Sequence, residues 1–290
     1  MRTLLAILAI TSPLVAQTTL HEQIAAIAKD AQGQVSVGCL LPGVKLDCGL
    51  NPHGHPPMQS VFKFPLAIAV LQQVEAGKLS LDQPIRFLPS DRYPGSYSPL
   101  QDAHPNADID VPLRELVRLS VSLSDNIATD ILLRLIGGPT AVQKSLDTLG
   151  TGDIHVRDSE RAMHDDEQLQ YRNTADPVAM AILLQRLATN SPLNAEHTAL
   201  LNQWMTETPS APKRIKGLLP PGTPVAHKTG FSGTKDGFTP ATNDVALITL
   251  PNGKHLSIAI FITDSHADDA TRDSVGARIA KAIYDAATKP

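Results

Sequence analysis

The chain has 290 residues, 42% of them hydrophobic and 19% charged, an ordinary globular composition with room for one large domain or two interlocked ones. Its 25 basic and 29 acidic residues leave a formal net charge of −4 with no long run of either sign. That balance excludes a disordered chain and leaves no electrostatic footprint for nucleic acid or an anionic membrane, so a small, near-neutral substrate fits better than a polymer.

Met1-Arg2, a short apolar run ending at Ile10 and the small residue Ala16 before Gln17 have the layout of a signal peptide over residues 1–16. The run is too short for a membrane span, and no later stretch approaches the roughly 18 apolar residues a spanning helix needs. A periplasmic or secreted protein is expected. Helical periodicity covers 21–29, and alternating patterns at 34–41 and 45–50 flank Pro42-Gly43 as a hairpin. With Gly43-Val44 at its tip, Cys39 and Cys48 stand opposite each other. A cross-strand bridge and two buried free thiols both fit, and two cysteines are too few for a disulfide scaffold or a cysteine-only metal site.

From Val61 to about Gly138 the pattern is helical, with segments 64–76, 113–123 and 127–136 closed by Gly77 and Gly137-Gly138. Residues 151–177 are acidic with weak periodicity and predict a long functional loop. Helices return at 177–188 and 195–206, strand-like runs follow at 224–227, 244–250 and 256–263, and a final helix spans 268–286. Strands at both ends with helices between them predict an α/β (α+β) fold: an antiparallel sheet built from both chain termini and flanked by helices, plus a helical insertion domain. The expected division is 17–59 with 213–290 for the α/β domain and 60–212 for the helical domain.

Ser60-Val61-Phe62-Lys63 sets a hydroxyl and an ammonium three residues apart at a helix start, on one face, where they can touch. A serine needs a base to become a nucleophile, and lysine serves if its surroundings depress its pKa. The helix start also offers backbone N–H groups to an oxyanion. Alone the pattern carries little, because Ser210-Ala211-Pro212-Lys213 matches it too. Ser124-Asp125-Asn126 puts three small polar residues between two apolar helices, where a capped turn is the plain alternative. Lys228-Thr229-Gly230 ends a strand-like run and reaches a sheet edge beside a cleft.

In this order, Ser-x-x-Lys, Ser-Asp-Asn and Lys-Thr-Gly are the set found in class A β-lactamases and penicillin-binding proteins. Ser-Val-Phe-Lys-Phe-Pro at 60–65, Ser-Asp-Asn-Ile-Ala at 124–128, His-Lys-Thr-Gly at 227–230 and Ala-Thr-Asn-Asp at 241–244 resemble class A sequences, and the resemblance runs over about 20–288. More narrowly, the chain resembles the extended-spectrum subgroup. The resemblance implies a β-lactamase/penicillin-binding-protein-like fold, hydrolysis of β-lactam antibiotics through a serine acyl-enzyme, antibiotic resistance, no cofactor, and a monomer whose partner is a small-molecule β-lactam.

It also implies catalytic roles for Ser60, Lys63, Ser124 and Lys228, and for a loop glutamate that activates water. Among Asp158, Glu160, Asp165, Asp166 and Glu167, the choice is Glu160, because Glu160-Arg161-Ala162-Met163-His164 resembles the subgroup's pattern. His164 stands where most class A enzymes have asparagine, a departure that bears on how the water is positioned. Asp130, also in place of asparagine, would anchor the loop through backbone hydrogen bonds. Asn126, Thr229, Gly230, Phe231, Arg214 and Tyr97 complete the substrate site, Tyr97 as an aromatic gate at the rim.

Most class A enzymes place an arginine on the strand after Lys-Thr-Gly. Residues 238–250 contain none, and Arg214 matches the alternative arginine of enzymes that lack the first. Phe231 replaces a serine or threonine, which removes a hydroxyl contact but leaves its backbone N–H to join that of Ser60 in an oxyanion hole. Its ring is expected to turn to the far face of the strand, keeping a cleft wide enough for oxyimino-cephalosporins. His53-Gly54-His55 prompts a zinc reading, but no further ligand follows at metal-site spacing, so no metal is expected. A D,D-peptidase and a penicillin-sensing module share the three strings. Glu160 argues against the first, and the lack of a spanning segment after the signal argues against the second.

Overall fold

The computed structural model describes residues 18–150 and 152–289, and the expected signal segment at 1–16 lies outside the described residues. Thr19 opens helix α1 (Leu20–Ala28) through a reciprocal cap with Glu22. Strand β1 (Gln34–Leu40) then joins β6 (Val225–Phe231), β7 (Thr239–Thr249) and β8 (His255–Ser265) in a four-stranded sheet of order β1-β8-β7-β6, with every neighbour antiparallel. One strand from the start of the chain and three from its end form the sheet that the alternating runs predict, with the last three strands longer than the runs alone mark.

Side-chain alternation along these strands feeds two separate cores. Ala246, Ile248, Ile258, Ile260 and Ile262 enter a cluster with α1 and the final helix α10 (Asp269–Thr288), whose Val275 and Ile279 are fully buried. Val245, Leu247, Ala259 and Phe261 enter the larger cluster with α2 (Lys63–Glu75), α4 (Leu113–Ser122), α5 (Asn126–Ile136), α8 (Pro177–Thr189) and α9 (Ala195–Thr206). The central α2 is apolar all round, so its buried run from Lys63 to Leu71 is set by packing on every side. Asp125 caps α5 at its start, and Gly137 closes it at φ 101°, a conformation that glycine adopts without steric cost.

Several elements depart from the expectations. Residues 45–50 form no strand: only isolated bridges, Val37 to Leu50 and Leu41 to Val44, tie this return segment to β1 and its turn. The turn tip is Pro42-Gly43, one residue earlier than expected, while Val37 opposite Leu50 keeps the register that faces Cys39 with Cys48. Those two cysteines form a disulfide, with Cα atoms 6.2 Å apart. The acidic stretch after Gly150 is also more ordered than its weak periodicity implies. Strands β4 (Ile154–His155) and β5 (Thr174–Ala175) pair at its base, and α7 (Glu160–Asp165) with a 3-10 turn over Glu167–Arg172 fills its tip. Elements too short or too polar to stand out are the pair β2 (Pro84–Phe87) and β3 (Ile109–Pro112), α3 (Pro99–Ala103) and α6 (Pro139–Leu149).

Candidate active site

Ser60 lies in a 3-10 turn, Gln59–Phe62, that runs directly into α2 at Lys63. Lys63 is wholly buried. Its Nζ donates to the Ser124 carbonyl (2.7 Å) and to Asn126 Oδ1 (2.6 Å), and sits 3.4 Å from Ser124 Oγ. Glu160 Oε1 lies 3.0 Å from the same ammonium, an ionic contact without hydrogen-bonding geometry. Among the described residues no hydrogen bond joins Ser60 Oγ to Lys63 Nζ. The two share one face, and the ammonium is drawn to the stronger acceptors across the cleft.

Those acceptors are held by a tightly pinned turn between α4 and α5. Ser124 takes φ 60°, a left-handed conformation that costs a non-glycine residue about 1 kcal/mol and persists where the surroundings over-determine it. Asp125 does so: Oδ1 accepts from Ser98 Oγ (2.8 Å) and the Ala128 N–H (2.8 Å), and Oδ2 from the Leu100 N–H (2.7 Å). The Asn126 N–H donates to the Tyr97 carbonyl at 3.0 Å, which ties the exposed Tyr97 to the same turn.

Strand β6 supplies the opposite wall. Lys228, 2% exposed, donates from Nζ to Ser124 Oγ (2.9 Å) and to the Thr229 carbonyl (2.9 Å). The Ser124 hydroxyl therefore stands between two lysines. Burial, and after it the charge of Lys63, pull the Lys228 ammonium well below the ordinary lysine range. Gly230 follows on the same face, and a Cβ there would lie 2.4 Å from the Met58 carbonyl and 3.3 Å from the Ser60 nitrogen. Only glycine admits this approach. The Ser232 N–H bonds to the Ala241 carbonyl on β7, so by the antiparallel alternation the Phe231 N–H points the other way, to the free edge of β6.

Phe231 alternates to the face opposite Lys228 and Gly230, and contrary to the expectation that face is the one that lines the cleft. Its ring, 43% exposed, lies 5.7 Å from the Arg214 guanidinium and fills part of the rim beside Thr229. The expected turn of this ring away from the cleft is corrected accordingly. Arg214 is more committed than a free cation: Nε donates to Asp273 (2.8 Å), and Nη1 to the carbonyls of Gly230 (3.3 Å) and Asn243 (3.1 Å). Among the described residues Nη2 makes no hydrogen bond.

The acidic loop delivers the remaining group. Ser159 caps α7, Glu160 is its first residue, and Asp130 on α5 receives the N–H groups of Glu160 (2.9 Å) and Arg161 (2.8 Å). Burial first, then the Glu160 charge, raises the Asp130 carboxyl to a pKa of about 7. Asn173 holds the other limb, accepting from the Arg157 and Asp158 N–H groups. Of the other loop carboxylates, Asp158 faces Arg172, Asp166 caps the 3-10 turn, Asp165 is exposed, and Glu167 stands at the cleft mouth. His164 packs its exposed ring on Tyr93, with centroids 5.0 Å apart, and among the described residues makes no hydrogen bond to Glu160. Arg161 lies over the same tyrosine and donates to the carbonyls of Ser90, Asp91 and Arg92, so the α7 helix is fastened to residues 90–93.

The result is one cleft of about 760 Å³ into which Ser60, Ser124, Asn126, Glu160, Thr229 and Arg214 open, with Tyr97, His164 and Phe231 at its rim. Lys63, Lys228, Gly230 and Asp130 support it from behind. Sequence reasoning missed Asp125, Asn173, Asn243 and Asp273, which act through backbone or through another side chain. Only Asp125 and Asn243 carried a signal, lying inside strings already singled out. His53 pairs with Asp176 at 2.7 Å, and among the described residues no three His, Cys, Asp or Glu side chains are grouped to hold a metal ion.

A sheet from both termini, a buried helical layer and a serine facing two buried lysines define the serine β-lactamase and penicillin-binding-protein class. The model of the "Beta-lactamase enzyme family" matches residues 19–287. Over 265 residues the chain is 39% identical to "Extended-spectrum beta-lactamase PER-1" of Pseudomonas aeruginosa, covering 91% of this chain and 86% of that protein. It is 38% identical to "Beta-lactamase VEB-1" of the same organism, covering 89% and 87%. Among solved structures, a β-lactamase from Chitinophaga pinensis is 41% identical with TM-score 0.87 over 93% of this chain and 99% of that one, and TLA-1 extended spectrum β-lactamase is 38% identical with TM-score 0.90 over 93% and 98%. The chain belongs to the β-lactamase enzyme family, as a class A serine hydrolase of the extended-spectrum type.

Proposed function

We propose that this enzyme hydrolyses the lactam amide of penicillins and cephalosporins through an acyl-enzyme on Ser60. The observation that carries the reading is the Ser124 hydroxyl between Lys63 and Lys228, with Glu160 3.0 Å from Lys63. Lys63 directly, or Glu160 through a water, takes the Ser60 proton as Oγ bonds the lactam carbonyl carbon. The N–H groups of Ser60 and Phe231 hold the oxyanion. When the C–N bond breaks, Ser124 passes its proton to the leaving nitrogen and is reprotonated from the lysine side, a task suited to a Lys228 whose ammonium is destabilised by burial. Glu160 then removes a proton from water as the water oxygen bonds the acyl carbon. The ester C–O bond breaks, and the proton returns to Ser60.

Arg214 and Thr229 take the substrate carboxylate, Asn126 its side-chain amide, and Tyr97 closes the rim. Asp130 fixes the backbone that carries Glu160, while His164 acts on the loop by packing on Tyr93. In this reading the site lies along the seam between residues 17–59 with 213–290 and residues 60–212, the protein is a monomer, and it works in the periplasm or outside the cell. The Cys39–Cys48 disulfide supports an oxidising compartment, and no helix among the described residues is long and apolar enough to cross a membrane.

Nitrocefin turnover by the full chain tests the activity. Glu160→Gln should convert turnover into a persistent adduct on Ser60, seen by mass spectrometry after mixing with benzylpenicillin. Clearance at the wild-type rate would move the water-activating role to another loop carboxylate. A wild-type enzyme that itself stays acylated would make the protein a peptidase or sensor instead.

A further inference from the structure

Ala-Thr-Asn-Asp at 241–244 has no part in the mechanism above, yet Asn243 is wholly buried one strand behind the cleft. Neighbouring residues of β7 face opposite sides of the sheet, and Asn243 shares the face of Gly230, its cross-strand partner. Its Nδ2 donates to two consecutive carbonyls, Pro57 at 2.8 Å and Met58 at 3.1 Å, while its Oδ1 has no partner among the described residues. A buried acceptor left unmade costs about 1–3 kcal/mol, so the amide is held there for its donors.

What the donors hold is the approach to Ser60. Gln59, between Met58 and Ser60, has φ 47°, a strained value for a residue with a side chain. Met58 is the residue whose carbonyl closes on Gly230, and its N–H is fixed by the Asn173 carbonyl at 2.7 Å. Asn173 thus pins Met58 from the loop side and Asn243 from the sheet side, and the left-handed step at Gln59 then directs the Ser60 N–H.

We propose that Asn243 is a positioning residue that sets the oxyanion hole by clamping the Pro57 and Met58 carbonyls against β6. It touches no substrate. The proposal rests on the reading of Ser60 as nucleophile with its N–H as an oxyanion donor. Releasing the clamp lets residues 58–60 relax away from the edge of β6, and the two oxyanion donors part.

The test uses the full chain carrying Glu160→Gln, alone and combined with Asn243→Leu, which keeps volume but no donor, or Asn243→Ser, which keeps one donor. Stopped-flow mixing with benzylpenicillin reads the acylation rate constant and the substrate dissociation constant. Infrared difference spectra read the ester carbonyl stretch. Acylation should slow by about ten- to a hundredfold with leucine and less with serine, below the roughly hundred- to thousandfold cost of losing an oxyanion donor outright, because the donors are displaced and not removed. Substrate dissociation should stay within twofold, and the carbonyl stretch should move to higher wavenumber as its hydrogen bonds lengthen. Unchanged acylation and stretch would overturn the clamp, as would slowed acylation with an unmoved stretch, the mark of a general loss of structure. Failure of both variants to fold would assign Asn243 to stability and overturn it too. If neither the Glu160→Gln parent nor the wild-type enzyme quenched during turnover carries an ester on Ser60, the acyl-enzyme reading itself falls and takes the clamp with it, an outcome visible before Asn243 is changed; an ester on the wild type alone makes Glu160 the acylation base and moves the same comparison to the wild-type background.

Discussion

Asp273→Asn should tighten the hold on a substrate carboxylate, and Arg214→Ala should weaken it. Arg214 uses Nε on Asp273 and Nη1 on two backbone carbonyls, so Nη2 is what it has for an anion in the cleft. Loss of one charge-assisted hydrogen bond costs about 1.5–3 kcal/mol, which raises KM roughly ten- to 150-fold. Asp273 acts in the opposite sense. Its carboxylate is 2.8 Å from Arg214 Nε, which places it about 7 Å from an anion on the far side of the guanidinium. Like charges at that distance repel by about 2 kcal/mol at an effective dielectric near 20, and by about 1 kcal/mol once partial exposure is allowed for. Asparagine keeps the acceptor for Nε and removes the charge, so KM for benzylpenicillin should fall about fivefold with kcat within a factor of two. The methyl ester of the same penicillin is the control, because neither variant should change its KM. If Arg214→Ala affects acid and ester alike, or Asp273→Asn raises KM for the acid, Arg214 is a brace for β6 and β7 and no anion receptor.

Asp130 should make stability depend on pH. A carboxyl raised to about 7 by burial binds its proton more tightly folded than unfolded, so its stabilisation is complete below about pH 4 and is lost as pH rises through 7. The upper bound is about 4 kcal/mol, and Asp130→Asn should flatten the melting temperature between pH 5 and 8, measured by thermal scanning; an unaltered slope refutes it. Cys39→Ala with Cys48→Ala should lower stability by about 2–3 kcal/mol, as expected for a short closed loop, with kcat per folded molecule unchanged in denaturant and activity assays. Cefotaxime should be hydrolysed with kcat/KM within about a thousandfold of benzylpenicillin, and a larger gap, above roughly 4 kcal/mol, would mean that the Phe231 ring at the rim closes the cleft to oxyimino side chains.

The three strings were legible because each sits at an element boundary where a polar residue has no packing role. Lys63 and Lys228 stand out for the same reason, as charges in runs that bury everything else. The loop after Gly150 was not legible as structure. Its order comes from Asp130, which only the family resemblance marked as an anchor, and from Asn173, which nothing marked, each bonding backbone well removed in sequence, and neither bond leaves a periodic trace. Phe231 shows a different limit: strand alternation says that it faces away from Lys228, but not which face borders the cleft, and only the tertiary placement of Arg214 beside its ring shows that this one does. The 45–50 segment alternates like a strand, yet the register shift between the Leu41–Val44 and Val37–Leu50 bridges leaves it two residues too long to ladder.

The two outer strands of the sheet meet different fates. Along β1 the free side is shielded by the return segment at Val37 and Leu50 and stitched down by the disulfide. Along β6 it stays open. An exposed edge with unpaired N–H and C=O groups ordinarily invites another chain to add itself. Here the Ser60 turn packs so close to Gly230 that a side-chain carbon there would meet the Met58 carbonyl, and this stretch of the edge is occupied by the chain itself. In the proposed mechanism that same edge offers the Phe231 N–H to the oxyanion, so a row of backbone groups that would elsewhere be an aggregation hazard becomes part of the chemistry.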